Sequence, residues 1–204
     1  MLKSSVFLLS PAYCGGRRAT YLLREGSDLA LAKRLAEGTL SLGEAFAFMS
    51  GLYFRGKLAY ALRFGPGNVH VITPTRGLLP PEKLITADLL REFATVDVMA
   101  DDVRYREPLD RDLERLADDL SAEARVVLLG SIATGKYVEA LTTALGPKLH
   151  YPTAFIGRGD MSRGGLMLRC VSDGIELGYS PLTPNAARHG SRPPKLPPLV
   201  KAAR

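Results

Sequence analysis

Hydrophobic residues follow two different spacings along this chain, and the alternation between them predicts an α/β fold. Short runs of consecutive apolar residues, rich in Val, Ile and Leu, are typical of strands buried on both faces. Longer stretches with apolar residues three and four positions apart predict helices that bury one face. The predicted strands cover residues 5–10, 69–73, 125–130 and a short segment at 154–157. The predicted helices cover residues 17–23, 28–38, 39–65 as two helices broken near Gly51, 82–94, 109–124 and 133–145.

The order of these elements, with helices between most of the strands, favours a mainly parallel central sheet flanked by helices in a three-layer sandwich. Segment 96–109 shows neither spacing clearly, and we interpret it as a short edge strand followed by a loop. Asp173–Gly174 has the composition of a tight turn, so we expect a final β-hairpin over residues 166–182. The predicted organisation is one α/β domain over residues 1–182 and a tail over 183–204.

Ligands of open parallel sheets bind where the strands end at their carboxyl side. Each of four segments follows a predicted strand and is rich in Gly, Pro or hydroxyl residues. They are "SPAYCGGRR" at 10–18, "TPTRGLLPP" at 73–81, "GSIATGK" at 130–136 and "GRGDMSRGG" at 157–165. We therefore expect the four segments to meet in one cleft.

The segment "GSIATGKY" has the glycine and lysine spacing of a phosphate-binding loop, with Gly130 first and Lys136 last. Such a loop places a Ser or Thr hydroxyl on magnesium, but Tyr137 stands at that position. The substitution argues against a nucleoside triphosphate site. A strand followed by a helix N-terminus still binds a single phosphate well, so Gly130 and Lys136 are predicted phosphate contacts. A tight structural turn is the alternative.

The segment after the first strand offers contacts to a base and to phosphates. Gly15 lets the backbone approach a ligand closely, and Tyr13 can stack on a base. Arg17 and Arg18 open the next helix, where cations are unfavourable, and this conflict indicates an anionic partner. The predicted base and sugar contacts are Tyr13, Cys14, Gly15, Thr75 and Ser131. We interpret Cys14 as a buried residue without nucleophilic function, because no histidine lies near it in sequence.

The segment "GRGDMSRGG" places one carboxylate among arginines and glycines. Asp160 is the predicted catalytic residue, because an ionised carboxylate held by nearby positive charge can orient water or stabilise a cation. Arg158 and Arg163 are predicted to hold flanking phosphates. A salt-bridged surface turn without a catalytic role is the alternative.

The net charge of +6 is concentrated at the end of the chain, because no acidic residue follows Glu176. Five cations lie in the proline-rich tail: Arg188, Arg192, Lys195, Lys201 and Arg204. The tail is either a solvated extension or an arm along nucleic-acid phosphates. Two cysteines and three dispersed histidines give little support for a metal, and no cofactor is predicted. The apolar run near the start is too short for a signal peptide or membrane span, so we expect a cytoplasmic protein that does not bind membranes.

The segments "FLLSPAYCGGRR", "LYFRGKLAYAL", "VITPTRGLLPPEKLI", "VVLLGSIATGKYVEAL" and "FIGRGDMSRGG", in this order, resemble the uracil-DNA-glycosylase-like superfamily in its broad sense. The resemblance spans roughly residues 5–180 and rests on loops and strands. It implies an α/β sandwich, metal-independent chemistry and a base flipped into a cleft. Uracil glycosylases carry an acidic residue or Asn in the first loop, and often a His in the last. This chain has neither, which points away from uracil.

These features together predict a DNA glycosylase that hydrolyses the N-glycosidic bond of a modified base, such as a bulky base of phage DNA, and leaves an abasic site. DNA, or alternatively RNA, is the expected partner, and no obligate protein partner is inferred. Lys136 has an alternative role as a Schiff-base amine. The sequence leaves two other functions open, namely a nucleic-acid-binding module without catalysis and an enzyme acting on small nucleotides or nucleosides.

Overall fold

The computed structural model describes residues 5–98, 101–133, 135–183, 186 and 188–196, without the side chains of Gly135 and Lys136. The strands of the described chain are β1 Val6–Leu9, β2 Val69–Ile72, β3 Leu78–Leu79, β4 Val126–Leu129, β5 Leu149–Pro152 and β6 Tyr179–Pro181. Its α-helices are α1 Arg17–Leu23, α2 Ala30–Ala36, α3 Leu42–Ser50, α4 Leu52–Phe64, α5 Ala87–Ala94, α6 Val103–Asp119, α7 Gly135–Leu145 and α8 Asp160–Asp173. No helix of this described chain is both long and apolar enough to cross a membrane.

The six strands form one sheet in the order β3-β2-β1-β4-β5-β6. The four inner strands run parallel, and the two edge strands β3 and β6 are antiparallel to their neighbours. This confirms the predicted α/β fold with a mainly parallel sheet flanked by helices. The chain builds outward from β1 to β2 and β3, then returns to the other side of β1 with β4. The order therefore reverses between β1 and β4, and a crevice forms where their loops diverge.

Every residue of β1 is buried, because successive side chains enter opposite faces of the sheet. Phe7 and Leu9 belong to one apolar core, and Val6 and Leu8 belong to a second core. Helices α1 to α5 and α8 contribute to the first core, whereas α6 and α7 contribute to the second. The sheet is thus the middle of three layers.

The predicted β-hairpin at 166–182 is wrong, since residues 166–173, where its first strand was expected, belong to α8. Gly174 adopts a left-handed conformation with φ of 69° and caps the helix, so Asp173–Gly174 ends a helix instead of turning a hairpin. The pair Gly164 and Gly165 lowers the helical propensity of the segment, which obscured the helix in the sequence. Only residues 179–181 pair as a strand, and they pair with β5.

Two other predicted elements differ from the structure. The predicted strand at 154–157 is wrong, because the strand is β5 and a 3₁₀ turn, Thr153–Phe155, follows it. The predicted edge strand and loop at 96–109 are also wrong where the structure describes them. Helix α6 begins at Val103 with Asp102 as its N-cap and contains Pro108. A proline there removes one helical hydrogen bond, yet the long apolar face that follows sustains the helix.

Helices α4 and α8 cross with their backbones in contact. A Cβ atom on Gly56 would lie 2.6 Å from the carbonyl oxygen of Gly164, and one on Gly164 would lie 2.6 Å from that of Leu52. The crossing holds the residues that flank these glycines against each other. It therefore fixes Tyr53 and Lys57 of α4 relative to Asp160 and Arg163 of α8.

The described part of the predicted tail lies against the domain. The carbonyl oxygen of Ser191 occupies the space beside Gly157, where a Cβ atom would lie only 2.1 Å away. Leu196 lies near Gly165, and Ala186 packs on the second core. Residues 190–196 thus lie along the segment just before α8 and along its first turns. The other tail positions, including Lys201 and Arg204, lie outside the described residues.

Candidate functional site

A cleft of about 420 Å³ opens at the carboxyl ends of β1 and β4, where the strand order reverses. Residues of all four glycine-, proline- or hydroxyl-rich segments line it. They are Ser10 to Gly15 after β1, Pro74 after β2, Ser131 after β4, and Asp160 at the start of α8. The volume lies in the range of small-molecule sites. The fold therefore gathers separate loops around one concave site.

The loop after β1 forms one wall of the cleft. Tyr13 is 76% exposed at the rim, and its ring lies over Gly15, where a Cβ atom would meet the Tyr13 hydroxyl at 2.7 Å. Cys14 is buried and its Sγ donates to the carbonyl of Ala12 at 3.5 Å. Burial raises the pKa of the Cys14 thiol to about 12, which keeps it protonated and unreactive.

Asp160 supplies a carboxylate to the cleft from the first turn of α8. Its side chain is 67% exposed and lies 3.6 Å from the guanidinium of Arg163, which is only 11% exposed. Arg163 donates to the carbonyl of Phe155 at 3.2 Å and lies over the Phe155 ring. The helix N-terminus and the held guanidinium both favour negative charge at this position. Arg163 thus supports Asp160 from within the protein.

Lys57 is buried directly beneath the loop after β1, and the sequence reasoning missed it. Its ammonium donates to the carbonyl oxygen of Ser10 at 2.6 Å and to the Ser10 hydroxyl at 2.9 Å. The rings of Tyr53 and Phe54 lie 4.4 and 4.8 Å from its Nζ. Burial lowers the pKa of Lys57 to about 7, although the negative charge of Asp160 opposes this shift. A buried cation without a carboxylate in direct contact is costly, which makes Lys57 a candidate functional residue.

Lys57 makes the stability of the protein depend on pH in a defined direction. Its pKa is about 7 in the folded protein, against about 10.4 for an ordinary lysine in an unfolded chain. Between these values the unfolded chain binds more protons, so this group makes the free energy of unfolding rise with pH, by up to about 1.4 kcal/mol per pH unit.

We expect this rise to disappear in Lys57→Met. Urea unfolding of both proteins between about pH 7 and about pH 9 measures it. The wild type should gain stability relative to the variant as the pH increases. If the free energy of unfolding changed with pH in the same way in both proteins, the pKa of Lys57 would not be lowered by folding.

Tyr137 projects from α7 into the floor of the cleft. Burial raises the pKa of Tyr137, and hydrogen bonds from the side chain of Ser10 and the backbone of Ser131 oppose this shift. Gly130 makes the arrangement possible, because a Cβ atom there would lie 2.8 Å from the Tyr137 hydroxyl and 3.0 Å from Cβ of Ser10. The loop thus presents a buried phenol where a triphosphate-binding loop has a magnesium-binding hydroxyl.

Tyr53 adds a polar atom without a partner to the cleft. It is buried, and its hydroxyl makes no hydrogen bond of good geometry within the described chain, although Arg163 lies beside it. Burial raises its pKa, so the hydroxyl remains protonated. Buried polar groups in folded proteins are nearly always satisfied. A bound ligand in the cleft can supply the missing partner.

Several predicted site residues lie outside the cleft lining. Thr75 donates to the carboxylate of Glu92, and Arg158 donates to the carbonyl of Ala154 at 3.0 Å. Lys136 lies in the first turn of α7, but its side chain belongs to the part that the structure does not describe.

The two arginines of α1 lie beside the cleft. Arg18 donates to the carbonyl of Phe48 at 3.0 Å, and Arg17 lies 3.5 Å from the hydroxyl of Tyr21. Arg18, Tyr21 and Arg55 line a wide groove that shares Ser50 with the cleft. Of the predicted phosphate contacts, Arg18 lines this groove, whereas Arg158 and Arg163 flank Asp160 in sequence.

The described residues contain no group of three or more His, Cys, Asp or Glu side chains placed to hold a metal ion. Asp160 and Asp97 are the carboxylates that line the cleft. The prediction of a site without cofactor stays a prediction.

Comparison with known proteins gives no matching family model, no similar curated protein and no similar solved structure. The resemblance to the glycosylase-like superfamily therefore stays a prediction from sequence, and the proposals below rest on the geometry of the cleft.

Proposed function

We propose that the protein is a DNA glycosylase that hydrolyses the bond between a modified base and its sugar. The observation that carries the proposal is the charge arrangement of the cleft. A carboxylate, Asp160, stands at one wall, and Ser10 and Tyr137 line the floor with their hydroxyl groups. The ammonium of Lys57 is buried beneath this lining and donates to the Ser10 hydroxyl. One small cleft thus offers a negative group and a set of donors to the same ligand.

This arrangement matches the charges that form when an N-glycosidic bond breaks. Positive charge develops on the sugar and negative charge on the departing base. Groups that are already oriented toward developing charges stabilise the transition state without reorganising. In the proposed reaction Asp160 stabilises the sugar cation and orients the attacking water. The donors at the floor hold the base, and Tyr13 at the rim stacks on it or on a neighbouring base.

The surface around the cleft supports a nucleic acid as the larger partner. Arg18, Arg55 and Tyr21 line the adjoining groove, and exposed Arg192 and Lys195 follow the segment before α8. Arginines beside aromatic rings suit a strand whose phosphates and bases both need contacts. With one nucleotide flipped into the cleft, the adjacent nucleotides of the same strand would lie along these surfaces.

A modified base is the proposed substrate, because the loop after β1 lacks the acidic residue or Asn of uracil glycosylases. Its cleft-facing groups are instead the Ser10 hydroxyl, the Tyr13 ring and backbone near Gly15. The cleft volume of about 420 Å³ accommodates a base that carries an additional substituent.

Incubation with single- and double-stranded oligonucleotides, each carrying one chemically distinct modified base, tests the proposal. Alkaline cleavage at new abasic sites reports turnover, and binding at several salt concentrations reports phosphate contacts. Abasic sites in at least one DNA support the glycosylase. Salt-dependent binding without abasic sites would indicate a binding module instead. DNA affinity that does not change with salt concentration would indicate a site for a small molecule.

A further inference from the structure

The hydrogen bonds that Lys57 makes beneath the cleft have a fixed direction. Lys57 can only donate, and one of its N–H groups points to the hydroxyl oxygen of Ser10 at 2.9 Å. The Ser10 hydroxyl therefore has its own proton available for another acceptor. The side chain of Ser10 and the backbone of Ser131 are the hydrogen-bond partners of Tyr137.

Tyr137 is the end of this series of contacts that faces the cleft. A phenol hydroxyl can both accept and donate a hydrogen bond, so Tyr137 can take a proton from Ser10 and pass on its own. Tyr137 also lines the cleft, so its hydroxyl is the member of the series that a ligand can reach. The series Lys57, Ser10, Tyr137 thus begins at a buried cation and ends at an O–H group that meets the ligand.

We propose that Lys57, Ser10 and Tyr137 form a relay that donates a proton to the departing base. The proposal rests on the proposed glycosylase function and adds the source of the proton. Gly130 is required for the relay, because the absence of a side chain there leaves room for Ser10 and the Tyr137 hydroxyl to lie close together. Tyr137 is then a catalytic residue, and Lys57 acts on the base only through Ser10 and Tyr137.

The relay keeps protons and electrons in balance. The bond between the sugar and the base nitrogen breaks, and its electron pair stays with the base. The base takes the Tyr137 proton, Ser10 replaces it, and Lys57 replaces the Ser10 proton and becomes neutral. The water oxygen bonds to the sugar carbon and passes its proton to Asp160. Exchange with solvent then restores the ammonium and the carboxylate.

The charged groups around Lys57 set the pH range of the relay. Asp160 and Arg163 of α8 act on its charge in opposite directions, and the neighbouring Tyr53 and Ser10 are neutral donors or acceptors. Because the pKa of Lys57 is about 7, the relay loses its proton as the pH rises above neutrality. The rate of base release should therefore fall on the alkaline side in the wild type.

Single-turnover rates of Tyr137→Phe and Lys57→Met on a DNA that the wild type cleaves test the relay. We expect Tyr137→Phe to lower the rate by about 100-fold with little change in DNA affinity. The loss should be smaller for electron-poor bases, which depart without a proton. In Lys57→Met the alkaline decline should disappear. The matched control is Tyr105→Phe, which removes a buried hydroxyl that has no hydrogen-bond partner and does not line the cleft.

The outcomes separate the relay from the glycosylase. Tyr137→Phe removes one oxygen atom and keeps the ring, so a melting temperature near that of the wild type shows that the fold is intact. A rate within about threefold of the wild type in this variant, or an unchanged alkaline decline in Lys57→Met, would overturn the relay alone. Absence of base release by the wild type on every DNA would overturn the proposed function and the relay with it.

Discussion

Asp160→Asn should lower the rate of base release at least ~100-fold while leaving the fold and DNA affinity nearly unchanged. The side chain keeps its size and is largely exposed, so the substitution removes charge and little packing. Its loss removes the anion proposed to stabilise the sugar cation and the base proposed to accept the proton of the attacking water. Single-turnover rates at saturating enzyme, together with melting temperatures, measure the effect.

The matched control for this variant is Asp173→Asn at the opposite end of α8. Asp173 is exposed in the last turn of the helix and does not line the cleft. The same change of charge on the same helix should leave the rate of base release unaltered. Equal rates for Asp160→Asn and the wild type would remove Asp160 from the mechanism.

Alanine substitutions at two adjacent glycines of α8 should change the free energy of unfolding in opposite directions. Gly164→Ala should lower the free energy of unfolding by about 1–3 kcal/mol, because overpacking forces neighbouring groups to move. Its Cβ atom would lie 2.6 Å from the backbone of Leu52 and 2.9 Å from Cα of Tyr53, where no flexible side chain can yield. The variant would also shift Asp160 relative to Lys57.

Gly165→Ala is the matched control and should stabilise the protein by about 0.5–1 kcal/mol, since alanine favours a helix over glycine. The nearest atom to its new Cβ would be Leu196 Cδ1 at 3.9 Å, an ordinary contact. Urea unfolding of both variants measures the difference. Equal effects would show that the α4–α8 crossing is not the close backbone contact described above.

The strands β1, β2 and β4 and most of the helices were predictable because their apolar spacing is uninterrupted. Segments 5–10, 69–73 and 125–130 each contain a strand, and 109–124 overlaps most of α6. Helix α8 was not predictable from spacing, because Gly164 and Gly165 are poor helix formers. A small residue is needed at Gly164 because α4 packs directly against it. This contact joins residues over 100 positions apart in the chain, so local spacing does not reveal it.

The cleft was predictable in outline and not in its floor. The rule that ligands bind at strand carboxyl ends placed segments 10–18, 130–136 and 157–165 together. Lys57 escaped notice because a lysine in a helix is usually exposed. Its position three and four residues from Phe54, Tyr53, Tyr60 and Ala61 was the available signal, since it places a cation in the buried stripe of α4.

Tyr137 shows how one residue changes the meaning of a motif. In the sequence, Tyr137 served only as evidence against a site for magnesium and nucleoside triphosphate. Its buried position between Ser10 and Gly130 depends on the neighbouring strand β1, which sequence spacing does not reveal. The role proposed for Tyr137 therefore depends on the contact between β1 and the loop after β4, which brings Ser10 close to Tyr137.

The most direct test of the proposed glycosylase is the mass balance of its products. Wild-type protein and Asp160→Asn are incubated, with EDTA, with oligonucleotides that carry different modified bases, and the products are identified by mass spectrometry. We expect the wild type to release one free base for every abasic site on at least one DNA, and Asp160→Asn to release ~100-fold less in the same time. Intact oligonucleotides in every wild-type reaction, or activity that requires a divalent metal, would contradict the proposed function.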